Sequence, residues 1–507
     1  MYTALGVQCQ PHPAARAWYA GSARLAEGRD RHRGGLDAAG YASDLFARLI
    51  HWSSLLLLAC ACSPPSPVNI VVVVLDTARP DYLSVYGHPR PTTPFLEHFA
   101  AEGRRFDRAY SVSGWTLPAH ASMLTGRLPA EHGASWHQQR VSQSTPLLAE
   151  RLQTAGYQTV GFSNNAHISL RSGFGRGFDL FVPSAVLREP GPGLRHRTVP
   201  AVREWLERER DPERPFFLFV NLIDPHLPYL PPWEMAEPFY PSREAWRSDL
   251  AHFFPDEVPG PLLNRHYRGR DPLSEEEWRR LERLYEGDLR WTDWLVEQLV
   301  AAVDAASDPA STLVFVVSDH GENLGDHGHL AHMFNLYDSN LEVVMLARGP
   351  GFEPGSSEPN LVQLTDVYPT AIAAAGLAVE HDLAGRDLRI AGDAGRVVTA
   401  VLEHPSLAPF DAATRTGGTL DPYARELKAV VGPRFKLIRT SDGGEEIFDL
   451  RADPDESAPL ASSAEQPAVA ELRARLESVS FPGGAASPEL GLDAETLDQM
   501  RELGYAN

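Results

Sequence analysis

Three apolar runs constrain the fold of this chain more than any other feature. Residues 68–75, 216–223 and 312–317 are almost wholly Val, Leu, Ile and Phe. A strand with one wet face alternates apolar and polar residues. These runs do not alternate, so they read as parallel strands covered on both faces. Each ends in side chains able to do chemistry: Asp76, then Asp224-Pro225-His226, then Ser318-Asp319-His320. In an open α/β sheet the carboxyl ends of such strands meet at the ligand crevice.

The rest of the chain fits this frame. Strands are predicted over 157–162 and 342–347, and helices over 94–103, 147–155, 199–209, 274–303 and 365–375. Such alternation, running to about residue 395, predicts a large mixed sheet flanked by helices. In the long helix Leu281, Leu284, Tyr285, Leu289 and Leu295 recur at helical spacing, and Trp291 and Trp294 are expected to add core bulk. Residues 230–273, rich in Pro, Trp and Phe without clear periodicity, read as an excursion over the active face that shapes specificity. After 395 come short strands at 397–402, 427–431, 435–438 and 446–450, with Asp442-Gly443-Gly444 as a turn. Closing helices are predicted at 469–479 and 494–503. The expected domains are a leader and tether (1–67), a catalytic α/β domain (68–395) and a smaller C-terminal α+β subdomain with a helical tail (396–507).

A net charge of −21 excludes a nucleic-acid surface, which needs a basic stripe. Carboxylates suit a hard divalent cation instead. The only cysteines are Cys9, Cys60 and Cys62, so the folded body has neither an internal disulfide nor a cysteine-based zinc site. Arg48 and His51 precede Leu55-Leu56-Leu57-Leu58-Ala59-Cys60, a run too short to span a bilayer but matching the apolar region of a secretory signal. Leu57-Leu58-Ala59-Cys60 resembles a bacterial lipoprotein cleavage box, with Cys60 as the lipid-carrying residue and 63–67 as a stiff tether. The expected location is the bacterial periplasm or cell surface. Membrane contact is expected only through that anchor.

The chemistry centres on residues 113–133. Thr116 stands just before Pro118 and an apolar helical pattern that Gly126 ends. A side chain there looks along unpaired backbone N–H groups, which favour anions. Asp76, Thr116, Asp319 and His320 are the expected ligands of one divalent metal ion. In-line attack by Thr116 on phosphorus or sulfur would give a covalent intermediate, and His226 and His332 would protonate the leaving group or bind the equatorial oxygens. His120 completes the candidate catalytic set, with a solvent-facing position on its helix as the alternative. His132 is expected to support the site from behind or to be structural, and not to be catalytic.

Taken in order, these residues resemble the sulfatase family of the alkaline phosphatase superfamily over residues 68 to about 460. The matching stretches are Val74 to Asp81 with Tyr86-Gly87, Pro94-Phe95-Leu96 to Ala109-Tyr110, Thr116 to Gly126, Asp224-Pro225-His226, Ser318 to Glu322, Asp326-His327-Gly328, Phe435-Lys436-Leu437-Ile438 and Phe448 to Pro454. The resemblance implies an alkaline phosphatase-like fold and ester hydrolysis. Three departures qualify it. Thr116 occupies the position of the Cys or Ser that becomes formylglycine, and oxidising a threonine gives a ketone instead of the required aldehyde. His120 and His332 replace an arginine and a lysine. Thr77 replaces the second aspartate of a calcium-binding pair. A threonine nucleophile with an Asp, Asp-His site looks like the superfamily's phospho-transfer branches, so manganese or zinc is favoured, with calcium as the alternative. The expected function is metal-dependent hydrolysis of phosphate or sulfate esters, phosphoesters favoured, on a small-molecule, glycan or lipid head-group substrate. The alternatives are an arylsulfatase-like enzyme without formylglycine and a non-catalytic anion-binding surface lipoprotein.

Overall fold

A computed structural model describes residues 67–188, 196–267, 272–332, 334–403, 425–461 and 466–482. The signal and anchor expectations and the predicted helix at 494–503 lie outside these residues.

The three apolar runs are adjacent central strands. β1 (Asn69–Leu75) lies between two parallel neighbours, Phe216–Leu222 and Thr312–Ser318. All residues of the three are buried. They sit inside an eight-stranded mixed sheet in which Gln158–Ser163 and Leu180–Val182 extend one side in parallel. On the other side Met345–Arg348 pairs antiparallel with Thr312–Ser318.

The absence of alternation now has its explanation. Ile70, Val72 and Val74 enter one core, shared with helices α1 (Thr116–Thr125), Leu148–Thr154 and Val367–Ala374. Val71, Val73 and Leu75 enter a second core, shared with Pro94–Ala101, Thr198–Arg208 and α2 (Glu275–Ala306). A sheet covered twice needs apolar residues at every position.

α2 follows its sequence pattern, with a Ser274–Glu277 capping box at its start. The two tryptophans differ. Trp291 is half-buried and packs against the second core as expected, whereas Trp294 is 37% exposed and only stacks on Trp291. Within 230–273 the structure forms helices Trp233–Ala236, Arg243–Phe253 and Gly260–Tyr267, which short, Pro-interrupted periods hid.

Asp293 on α2 accepts hydrogen bonds from the N–H groups of Phe95 (2.8 Å) and Leu96 (2.9 Å), capping the helix Pro94–Ala101 from outside. Burial pushes its carboxyl up to about 7. The unfolded chain gives up this proton near the ordinary value of 3.8 and the folded chain keeps it to about 7. This group's contribution to stability is therefore full at low pH and lost as pH rises through that window. We expect Asp293→Asn, which keeps an acceptor oxygen, to flatten the fall in denaturation midpoint between those pH values. A slope equal to that of the wild type would refute the assignment.

The C-terminal sheet is antiparallel, in the order Val398–Leu402, Leu427–Val431, Phe435–Thr440, Glu445–Asp449. Gly443 makes its turn at φ 91°, where a side chain would be strained. Helix Pro467–Glu477 packs on this sheet through Val469, Leu472 and Leu476. Among the described residues, no helix is long and apolar enough to cross a membrane.

Candidate active site

Asp76 is the first residue after β1, and Asn221 and Asp319 come from the ends of its two neighbours. Asn165, just beyond Gln158–Ser163, donates to Asp76 Oδ2 at 2.7 Å, with Asn221 Nδ2 at 3.5 Å. Asp319 Oδ1 accepts from the backbone N–H of Thr77 (3.2 Å) and of His320 (2.9 Å). The turn at Thr77 is held open at φ 62°, an uncommon conformation for a β-branched residue. Buried Tyr285 of α2 clamps it, donating to Thr77 O (2.8 Å) and accepting from Arg79 N (3.0 Å).

Thr116 is the first residue of α1, after extended Trp115 (φ −160°, ψ 160°). Its Oγ1 lies 3.3 Å from His320 Nε2. The other nitrogen of that ring, Nδ1, lies 2.9 Å from Gly321 O, which can only accept, so Nδ1 carries the proton. In the neutral ring Nε2 then presents a lone pair toward Thr116 and Asp319 Oδ2, the latter 3.3 Å away. Burial pushes the His320 pKa down, which keeps the ring neutral.

Asp76, Asp319 and His320 offer ligand atoms all within 4.8 Å of one another. Asp76 Oδ1 and Asp319 Oδ2 are buried without a hydrogen-bond partner. Burial raises the Asp76 carboxyl well above the usual range, and the charge of Asp319 raises it further. Burial likewise pushes Asp319 up to about 7. Two buried carboxylates with orphaned oxygens facing an imidazole lone pair fit a divalent cation, which would let both ionise.

The predicted histidines fall into two groups. His226 and His332 continue the cluster: the His332 ring is centred 4.5 Å from that of His320 and 5.0 Å from that of His226. His332 Nδ1 lies 3.1 Å from Glu322 Oε1, and His226 Nδ1 donates to Leu227 O at 2.6 Å. His120 does not face solvent. It is fully buried near Phe174 and Phe219, and its Nδ1 donates to Thr116 O at 3.0 Å. Its Nδ1 is also 3.4 Å from Asp319 Oδ2. Burial pushes His120 and His226 down to about 3 and His332 well below its usual value. The positions expected to hold an arginine and a lysine are thus filled by neutral imidazoles. His132 is buried behind α1, 2.9 Å from Ser122 Oγ, and anchors the helix.

Asn165, Asn221, His167 and Glu322 were not anticipated in these roles. Asn221 had a signal: it is the one polar residue inside an otherwise apolar strand. Asn165 and His167 sit in a turn with no periodic pattern. His167 lies close enough for its charge to bear on His120 and His332, and its ring meets Trp115 edge-on at 5.7 Å.

The sulfatase family profile matches residues 68–377. Choline-sulfatase of Rhizobium meliloti is 26% identical over 461 residues, covering 79% of this chain and 83% of that protein. An arylsulfatase of Clostridium perfringens is 24% identical, covering 78% and 91%. Among solved structures, a protein in complex with its substrate D-glucosamine-2-N,6-O-disulfate superposes with a TM-score of 0.65 at 20% identity, covering 81% of this chain and 97% of that one. The phosphonate monoester hydrolase of Agrobacterium radiobacter gives 0.62 at 21% identity, covering 80% and 96%. With the profile spanning more than half of the sequence, the chain belongs to the sulfatase family of the alkaline phosphatase superfamily and is an ester-hydrolysing enzyme.

Proposed function

We propose that this enzyme hydrolyses phosphate esters in preference to sulfate esters, with Thr116 as nucleophile and Asp76, Asp319 and His320 holding one divalent ion. The observation that carries this reading is the Thr116 hydroxyl 3.3 Å from the His320 lone pair, beside two orphaned carboxylate oxygens. The bound ion would supply Lewis acidity to the hydroxyl and to a substrate oxygen. Thr116 Oγ1 attacks phosphorus and gives up its hydroxyl proton to water, the threonine–phosphorus bond forms and the ester bond to the leaving alcohol breaks. The leaving oxygen takes a proton from water, relayed through the lone-pair nitrogen of His226 or His332, whose rings rest neutral. Water then cleaves the threonine ester.

Charge narrows the substrate. Asp76 and Asp319 together balance one divalent cation, burial pushes the surrounding imidazoles toward the neutral form, and it pushes the Glu322 carboxyl beside His332 up to about 7. A site balanced in this way favours monoanionic phosphate diesters over dianionic monoesters. Two ligand carboxylates and an imidazole favour manganese or zinc. The helices within 230–273 are proposed to set specificity, and the leader to direct export with a lipid on Cys60.

The test compares initial rates on an aryl phosphate diester, an aryl phosphate monoester and an aryl sulfate, each with manganese, zinc or calcium. We expect the diester to be fastest with manganese or zinc. Sulfate turnover above both phosphates would overturn the preference, and would mean a sulfatase working without formylglycine.

A further inference from the structure

The segment 335–340 touches the site from two directions. On one side the Asn340 carbonyl accepts the Gly321 N–H at 2.9 Å. The Ser339 carbonyl lies so close that a Cβ on Gly321 would stand 2.1 Å from it. Gly321 is the residue whose own carbonyl accepts the Nδ1–H of His320. On the other side the Asn335 carbonyl would be 3.1 Å from a Cβ on Gly114, two residues before Thr116. Between them, buried Asn323, Asn335 and Asn340 exchange side-chain hydrogen bonds of 3.0–3.2 Å. Asn323 Nδ2 also donates to the Ala331 carbonyl, the residue before His332. The segment therefore braces His320, His332 and the approach to Thr116 at once.

What holds the segment is the C-terminal sheet. Lys436, on the strand Phe435–Thr440, is fully buried. Its Nζ lies 2.6 Å from Asp338 Oδ1 and 2.7 Å from Glu456 Oε1. Glu456 Oε2 accepts the Asp338 N–H at 2.5 Å, and Tyr110 donates to Asp338 Oδ2 at 3.0 Å. One residue earlier, Tyr337 donates to Glu446 Oε2 at 2.9 Å and packs against Phe448. Burying an ammonium costs several kcal/mol unless it is paired, so Lys436 strongly disfavours any arrangement that moves Asp338 away.

We propose that Lys436 and Asp338 are positioning residues for the reaction, through which the C-terminal sheet sets the orientation of His320 and so of the metal site. The proposal rests on reading Asp76, Asp319, His320 and Thr116 as the reacting site. Neither residue touches that site. Each acts through the 335–340 backbone and Gly321.

The test uses the full chain with Lys436→Met and Asp338→Asn. Leu472→Ala serves as a control that weakens the packing of helix Pro467–Glu477 on the sheet without touching the relay. Measurements are the melting temperature, kcat and KM on the best substrate, and manganese(II) affinity by electron paramagnetic resonance. Loss of partners that orient a metal ligand typically costs about 10- to 100-fold in affinity or activity, and we expect that loss in kcat and in manganese affinity for both variants. KM should stay within about threefold of the wild type. Leu472→Ala should lower the melting temperature while kcat at 20 °C is unchanged. Asp338→Asn decides alone if Lys436→Met does not fold. Folded variants with wild-type kcat and manganese affinity would overturn the proposal, as would a Leu472→Ala loss of kcat equal to theirs. The manganese measurement separates this outcome from failure of the functional reading, since it needs no turnover.

Discussion

Thr116→Ala is expected to reduce phosphate-ester turnover by about 10³-fold or more while leaving the protein folded. The hydroxyl starts a helix already placed by the extended Trp115 before it and by Gly126, at φ 69°, after it. Its one described hydrogen bond, to His320, is long at 3.3 Å. Losing such a bond costs about 1 kcal/mol. The chemical loss is larger because no water can be held as the covalently tethered oxygen is. Thr116→Ser should keep most of the rate. Quenched reactions should yield a peptide containing Thr116 with the phosphoryl group attached. Turnover unchanged in Thr116→Ala would assign the attack to water and leave Thr116 a positioning role.

The second large effect is on the metal. Stripping the protein with a chelator should abolish turnover, and manganese or zinc should restore it. Stability gives an independent readout. In stripped protein Asp319 titrates near 7 when folded and near 3.8 when unfolded, so its contribution is complete at low pH and lost as pH rises through that window. A bound cation reverses this penalty by favouring the ionised carboxylates. At a concentration 100 times the dissociation constant, binding stabilises by about 2.7 kcal/mol. We expect the melting temperature of wild-type protein at pH 8 to rise on adding manganese or zinc. Asp319→Asn should lose both that rise and turnover. A melting temperature indifferent to chelator and to metal in the wild type would rule out the Asp76–Asp319–His320 site.

Much of this architecture was legible because burial leaves a plain mark on sequence. A strand covered on both faces is apolar throughout, and Val71 and Val72 enter opposite cores for that reason. The polar residues that end such strands, Asp76 and Asp319, could then be placed at one edge. Trp294 shows the limit of the reasoning: periodicity says which residues share a helix face, but bulk alone does not say which face is covered. His120 shows another. Its spacing from Thr116 put it on the same side of α1, and only the fit of that helix against Phe174 and Phe219 decided that this side is interior.

By itself the sequence determined the strand order's raw material and the candidate metal ligands Asp76, Asp319 and His320, announced where an apolar run gives way to a polar end, and the candidate nucleophile Thr116, announced by a helix start. The tertiary structure alone decided the His320 tautomer, the burial that pushes the His120 and His332 pKa values down, the support of Asp76 by Asn165 and Asn221, and the grip of Lys436 on Asp338. These depend on groups brought together from distant parts of the chain. Asp338 and Lys436 are 98 residues apart, and Asp76 and Asn165 are 89 apart. Hydrogen bonds over such separations follow from how the two cores pack, and no local pattern of residues encodes them.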